Sequence, residues 1–484
     1  MAPTDAVVLE NWFPRANSVD VRPGAANHVT GFSETPQSLL VWNGPTSEKL
    51  FCSTASNVYD VTSAGALGSA VVTHQLRCYT NFTTAGGHYL IACDPTGTGT
   101  PKSYNGSTWA NLTFTGITLT TIRNVAVAKR RLWFCVAGSL TAYYGAVASI
   151  SGALTGFDLG QVFGRGGTLV AVGSWTLDGG DGQDDYVVFV SSQGELAIYK
   201  GTDPSTSATF SLVGVFYLGE PLGYQCLTKF GGDLLYLCQN GLFPLSKALL
   251  SATINYRSAF TSKIETAFAQ AIEQFSDSTV GSALNSRWSV CVYPTGSFLL
   301  INIPTAEDFS IQYVMNTITG AWCVFSGWSS TCFEVFRGQL FFTSAAAVAE
   351  GWIGTSDFGA NIVATAQQAY NALGAPNANK HVELLRPIVE VNETTEIRYS
   401  LSSDYSPAVT YSTTTLNVPS SGIWGSGVFG TALWGGASGK VVKDWITAFA
   451  RDGFVFSFGH YLATNKSTVR WISTDFAYKP GGVL

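Results

Sequence analysis

The chain has 484 residues, of which 46% are apolar and only 12% charged, with a formal net charge of −6. That is about half the charge usual for a soluble protein, and the acidic balance argues against a tight nucleic-acid binder, which needs a basic face, though not against nucleic acid that slides past. No run of about 18 apolar residues is present, so no membrane span is expected, and the start MAPTDAVVLENWFPR lacks the basic and apolar regions of a signal peptide, which leads us to expect a chain used without export.

Residues 1–35 read as an extended arm. Trp12-Phe13-Pro14 and Val21-Arg22-Pro23-Gly24 each set a proline soon after large residues, which favours turns or extended backbone over helix. From about residue 36 short β-branched and aromatic runs recur, bounded by Gly, Asn or Gln-Gly turns: SLLVWNG with KLFCSTASNVYDVT, then YLIACD, RLWFCVAG, YVVFVSSQGELAIYKG, GGDLLYLCQNGLFPLS, SVCVYPTGSFLLINIP and EVFRGQLFFTS. The strong strands fall at spacings of mostly about 40–50 residues, the length of one propeller blade. A hairpin with two apolar faces cannot bury itself and must stack on copies of itself, and radial stacking gives a β-propeller. The expected fold is therefore all-β: a propeller of six or seven blades over residues 36–360. In the first hairpins Leu50, Cys52, Val58 and Val61 are read as one apolar face.

One stretch breaks the rhythm. In TINYRSAFTSKIETAFAQAIEQF, the residues Ile254, Phe260, Ile264, Phe268, Ile272 and Phe275 recur mostly at three or four, predicting an amphipathic helix of about five turns near 253–275, packed on the propeller rim or, with Phe260 and Phe268, against a neighbouring subunit. After residue 360 the blade spacing stops, and half-buried alternating strands such as HVELLRPIVEV, TEIRYSLSSDY and VRWISTDFAYK predict a second, sandwich-like β domain over 361–484. Within it Trp424, Phe429 and Trp434 recur every five residues among glycines, which suits subunit packing or stacking on sugars.

No catalytic, nucleotide or metal motif stands out. Asp178, Asp181, Asp184 and Asp185 on the Gly-rich turn LDGGDGQDDY could converge on a hard cation, but the loop lacks an EF-hand pattern and a solvated acidic turn is the weightier reading. The basic triple Lys129-Arg130-Arg131 reads as a solvated turn. The nine cysteines sit singly inside strands, as buried reduced thiols do. His28, His74, His88, His381 and His460 have no metal spacing. A propeller hydrolase would need two carboxylates facing across a cleft, for which Asp60, Asp94, Glu195 and Asp233 are the available acids. No cofactor and no enzymatic activity are expected.

The segments LENWFPRANSVDVRPGAANHVTGF, YKGTDP with FSLVGVFYLGEPLG, GGDLLYLCQNGLFPLS, TGAWCVFSGW and RWISTDFAYKPGGVL together resemble the tail nozzle (tail hub) proteins of short-tailed, podovirus-like bacteriophages. The resemblance implies a structural virion protein whose homohexameric ring continues the DNA channel below the tail adaptor ring, retains the packaged genome and lets it pass at ejection. It also implies tail fibres or tailspikes and a needle or plug as neighbours, a place in the virion tail after assembly in the host cytoplasm, and no catalytic residues. The alternative from a different class is a carbohydrate-binding or glycan-hydrolysing propeller on a virion or cell surface.

Overall fold

The computed structural model describes residues 5–97, 99–178, 183–248, 256–277, 282, 285–305, 310–406, 411–416 and 440–483. The chain is mostly strand and divides into two compact units, one of residues 27–312 with 329–350, the other of residues 1–26, 313–328 and 351–484.

The larger unit is a β-propeller. Seven innermost strands, Ser38–Asn43, Cys78–Thr84, Ile122–Ala128, Leu169–Asp178, Leu227–Phe230, Ser289–Tyr293 and Phe333–Phe336, each begin a radial sheet. Each meets the next around the axis, and the seventh meets the first. We number the blades one to seven in that order. Blades one to four are four-stranded antiparallel sheets and blade five has three strands, while blades six and seven each begin with a hairpin inside this unit.

The strand sequences explain the stacking. In the fourth blade Val187, Val188, Phe189 and Val190 are all fully buried, because a blade is covered on both faces and so reads as a continuous apolar run. Side chains alternate across a strand, and the neighbours alternate with them. Val187, Phe189, Ala197 and Tyr199 pack toward Trp133, Cys135 and Tyr144 of the third blade. Val188, Val190, Leu196 and Ile198 pack toward Leu234, Tyr236 and Phe243 of the fifth. The same division recurs in the first blade, where Leu40, Phe51 and Val58 meet Leu90 and Tyr104 of the second. Leu39, Val41, Leu50, Cys52 and Val61 instead meet Phe336 and Phe341 of the seventh. That last contact closes the ring, and it corrects one expectation, since Val58 faces away from Leu50, Cys52 and Val61. The turn chemistry is equally local: Gly194, at φ 79°, ends the hairpin turn between Gln183–Ser191 and Glu195–Gly201 in a conformation that a side chain disfavours.

The helical insertion is shorter than its periodicity suggested. A 3-10 turn over Phe260–Ile264 leads into an α-helix, Glu265–Phe275, and 251–255 lie outside the described residues. Phe268 and Ala271 are its buried residues, which leaves only a narrow apolar stripe toward the core.

The second unit has two sheets. One runs Ala6–Glu10, Ile362–Gln368, Phe456–Thr464, Thr395–Ser403, Tyr411–Leu416; the other joins Trp12–Pro14, Val19–Val21, Val469–Val483 and Ala378–Val391, the last also pairing Lys440–Val442 and Ile446–Gly453. Both sheets contribute to one core, with Ala364, Ile397, Phe458 and Leu462 from the first and Trp12, Val382, Val389 and Trp471 from the second. The N-terminal segment up to residue 26 is extended and belongs to this unit, with Ala6–Glu10 and Val19–Val21 paired with residues some 350 to 450 positions away in sequence.

Arg22 shows why the arm is held. Its side chain is fully buried and forms two hydrogen bonds to Asp357, Nη1 to Oδ1 at 2.9 Å and Nη2 to Oδ2 at 2.6 Å. It also donates from Nε to Asn11 Oδ1 at 2.8 Å and from Nη2 to the Ser326 carbonyl at 2.6 Å, while Trp328 Nε1 donates to Asp357 Oδ1 at 2.9 Å. The turn before Pro23 thus carries a buried, fully paired guanidinium. Gly24 is required beside it, since a Cβ there would lie 1.9 Å from the Ser356 carbonyl oxygen.

Candidate functional site

The propeller encloses an axial cavity of about 550 Å3, lined by the inner strands of all seven blades. Its lining is mixed, because residues at the start of each inner strand alternate between the axis and the neighbouring blades. One end is tied across by side chains. Asn124 Nδ2 donates to the Tyr224 carbonyl at 3.0 Å, Gln225 Nε2 to the Arg77 carbonyl at 2.9 Å, and Arg77 to Ser286 Oγ at 2.6 Å and Gln37 Oε1 at 3.0 Å. Thr331 Oγ1 donates to the Pro36 carbonyl at 2.8 Å, joining the seventh blade to the first.

Glu334, the second residue of the seventh inner strand, is the one carboxylate among the described residues that line this cavity. Tyr79 donates its hydroxyl to Oε2 at 2.8 Å, and the Val335 N–H donates to Oε1 at 3.1 Å. Glu334 is half-buried on the cavity wall. Burial pushes its pKa up to about 7, and the two hydrogen bonds offset part of that rise. Burial likewise raises the Tyr79 hydroxyl well above its ordinary value, with the Glu334 charge adding to the effect. Two further polar atoms of lining residues, Asn124 Oδ1 and Ser289 Oγ, are buried and have no hydrogen-bond partner.

A second feature lies at the outer edge of the fourth blade. The outermost strand, Phe210–Tyr217, is eight residues long, against three for Ala70–Val72 and Trp109–Asn111 and four for Thr155–Asp158 in the first three blades. It carries no charge and exposes Leu212 at 44%, Val213 at 54%, Val215 at 36% and Tyr217 at 37%. Short strands and charges are the usual ways of blunting a sheet edge, and this edge has neither. Arg165 lies over the Tyr217 ring at 3.7 Å and shields one end.

The residues singled out from sequence are scattered. Asp178 ends one strand and Asp184 and Asp185 begin the next, paired in register with Leu177 and Thr176; Asp181 and the side chains of all four lie outside the described residues. Trp424, Phe429 and Trp434 also lie outside them. Phe268 is 3% exposed and packs on Trp288 at 6.0 Å, so its side chain belongs to the chain's own core, and Phe260 meets Phe230 at 5.7 Å. Lys129 and Arg130 occupy a left-handed hairpin turn at φ 51° and 57°, and Arg131 pairs with Asp203 at 3.2 Å.

The four acids that a hydrolase would need do not converge. Asp60 pairs with Lys49 at 2.8 Å, Asp94 accepts from Thr96, Glu195 accepts from the N–H groups of Gly164 and Arg165, and Asp233 accepts from Ser246. None of them lines the axial cavity. All nine cysteines are free thiols and buried. Burial pushes Cys238 and Cys332 up to about 12, which leaves them inert at neutral pH.

Sequence reasoning missed Glu334, Tyr79, Asn124 and Ser289. A charged residue inside the apolar run FEVF was the available signal. It also did not single out Phe210–Tyr217 as an exposed edge, although an uncharged strand rich in apolar residues is a warning in itself.

No family model matches the sequence, and no curated protein matches it. Among solved structures the chain is similar to the β-propeller domain of Myceliophteria thermophila Cps50 (Swd1), at 11% identity and a TM-score of 0.42 over 68% of this chain and 99% of that one. It is similar also to Sqt1 of Saccharomyces cerevisiae, at 10% identity and a TM-score of 0.39 over 68% and 99%, and to the computationally designed Ika8 protein, at 11% identity and a TM-score of 0.38 over 68% and 100%. The likeness is one of fold.

Proposed function

We propose that the chain is a structural subunit of a virion, built into the nozzle of a short-tailed phage as a homohexameric ring in the tail, assembled in the host cytoplasm. In this reading it has no enzymatic role. It meets the tail adaptor ring on one side and a needle or plug and tail fibres or tailspikes on the other, and double-stranded DNA passes through the ring.

The observation that carries the reading is the outermost strand of the fourth blade. An eight-residue edge with four exposed apolar side chains and no charge is an aggregation site in a free monomer and a docking strand in an assembly. The low charge of the whole chain points the same way, since interface cores are poor in charge. The axial cavity of the propeller is no conduit for a duplex whose major groove alone is about 12 Å wide, being about 550 Å3 in volume and tied across at one end. The channel must then lie between subunits. A ring closes through heterologous contacts, which need two different surfaces on each copy. A wall with few basic residues would let DNA slide, because each phosphate neutralised by Lys or Arg adds retention.

Size-exclusion chromatography with light scattering, followed by negative-stain imaging, tests this reading. A six-fold ring with an open centre is expected. A stable monomer that turns over glycans would overturn it.

A further inference from the structure

The inner hairpin of the second blade brings two cysteines together. Cys78 opens the strand Cys78–Thr84 and Cys93 closes the strand Gly87–Cys93, and the antiparallel register sets them directly opposite one another. Opposed residues of such a pair have Cα atoms about 4.5 or 5.5 Å apart and side chains on one face. Both spacings fall within the roughly 4.4–6.8 Å that a disulfide spans. The packing agrees, since Cys78 and Cys93 belong to one apolar cluster with Phe82, Ile91, Phe114 and Phe134, on the side of the second blade that meets the third. The two thiols are also hydrogen-bonded to each other, which, with burial adding to it, holds the Cys93 thiol well above its ordinary value and keeps it protonated. Cys93 is then the donor and the Cys78 sulfur the acceptor. The registers give three other strand cysteines no such neighbour: Cys52 stands opposite Leu39 and Tyr59, Cys135 opposite Asn124 and Ala142, and Cys291 opposite Leu300.

We propose that Cys78 and Cys93 are a redox-sensitive pair that a peroxide closes into a cross-strand disulfide. Cys78 is the thiol attacked first, since it is 3% exposed and lines the axial cavity, whereas Cys93 is fully buried and does not line it. The Cys78 sulfur attacks one oxygen of hydrogen peroxide, the O–O bond breaks, and the thiol proton leaves with the displaced hydroxide as water, giving a sulfenic acid. The Cys93 sulfur then attacks the Cys78 sulfur, the S–O bond breaks, and the Cys93 proton leaves with that hydroxide as a second water. Two thiols lose two electrons between them, and one peroxide becomes two waters.

The bridge ties the innermost strand of the second blade to the strand beside it. It also constrains the unfolded chain, so oxidation should raise the melting temperature of the propeller. A reducing compartment keeps the pair open and an oxidising one closes it, whether or not the chain forms a ring.

The test uses the full chain in whatever oligomeric state it adopts, so its failure is distinct from failure of the assembly reading. Protein purified under a reductant is freed of it, treated with hydrogen peroxide while folded, then unfolded in the presence of N-ethylmaleimide and digested. Trypsin, cutting after Arg77 and Lys102, releases Cys78 and Cys93 on one peptide. That peptide is expected unalkylated and about 2 Da lighter than its dithiol form, with the remaining cysteines alkylated, and dithiothreitol should restore both thiols. Cys93→Ala should leave a Cys78 sulfenic acid that dimedone traps, and Cys78→Ala should leave Cys93 unmodified. Alkylation of both thiols after peroxide treatment, or a bridge that forms only in the urea-unfolded chain, would overturn the proposal. Oxidation of Cys93 in a folded Cys78→Ala protein would overturn the assignment of Cys78 as the thiol attacked.

Discussion

In the propeller, Val188 and Phe189 are neighbours in sequence and both fully buried, each against a different blade. The second unit adds two buried cations to its apolar core: Arg22 locked to Asp357, and Lys380, 1% exposed, whose ammonium donates to the carbonyls of Ala375, Ala378 and Phe454 at 2.6, 2.9 and 2.9 Å. The first unit spreads its stability over many similar apolar contacts, so a loss at one place is graded. The second has such contacts too, and at these two places a missing partner leaves a buried charge, so a loss there is abrupt.

The largest expected effect comes from breaking the buried pair. Arg22→Met leaves the Asp357 carboxylate buried beside Trp328 and should cost about 3–5 kcal/mol in the second unit. Replacing both, Arg22→Met with Asp357→Leu, should recover much of that loss, because two apolar groups need no partner. Hydrogen exchange read separately over the two units measures both. An equal loss in the single and double variants would show that the network acts through its other hydrogen bonds.

Acid and base should pull the two units apart. His460 is fully buried among Trp12, Tyr399, Phe458 and Trp471, with neither ring nitrogen partnered, and burial pushes its pKa down to about 3. An unfolded histidine takes its proton near pH 6.5. As pH falls from there toward 3, the unfolded chain gains a proton that the folded one refuses, and the second unit loses about 1.4 kcal/mol per pH unit. Glu334 has the opposite sign. Its folded pKa of about 7 lies above the unfolded value, so its contribution is complete below about pH 4 and fades as pH rises through 7. Because Glu334 is only half-buried, that slope is shallower, roughly 1 kcal/mol per unit or less. His460→Phe should flatten the acid limb in the second unit alone, and Glu334→Gln the alkaline limb in the propeller alone. Thermal melts from pH 4 to 8 would show the crossing.

These differences also account for what could be read without coordinates. The blades were legible because each hairpin carries its pattern locally: apolar runs of four to six residues, a turn, another run, at a repeating distance. What joins the first blade to the seventh, or Asp20 to Arg470 at 2.8 Å, leaves no local mark. What the arm packs on was not legible, because its partners lie hundreds of residues on. The helical period near 253–275 overstated the helix, since Ala259 is extended and the turn after it is 3-10, so the α-helix starts only at Glu265. The cavity groups were hidden for another reason. Alternation shows which strand faces are buried but cannot distinguish a face against a neighbour from one against the axis.

Smaller still is the cost of one methylene within a blade. Ile198→Val, with Ile198 fully buried between Val188 and the fifth blade, should destabilise the propeller by about 1 kcal/mol. The same change at a blade whose neighbours repack should cost less, and a much larger value would mean that the ring has far less slack than its repetition suggests.

The smallest effect on stability falls at the exposed edge, where the comparison is sharpest. Val213 is 54% exposed and contributes little to the fold, so Val213→Lys should change the unfolding free energy by no more than about 0.5 kcal/mol. A lysine in the middle of a docking strand would still bring a desolvation cost and, in a symmetric assembly, bring it once per subunit. The variant should therefore melt like the parent and elute as smaller species, with the monomer soluble where the parent edge would self-associate. If it assembled normally, the interface would lie elsewhere and the long uncharged edge would need another partner. If it failed to fold, the strand would be part of the blade's own stability, contrary to the exposure of Leu212, Val213 and Val215.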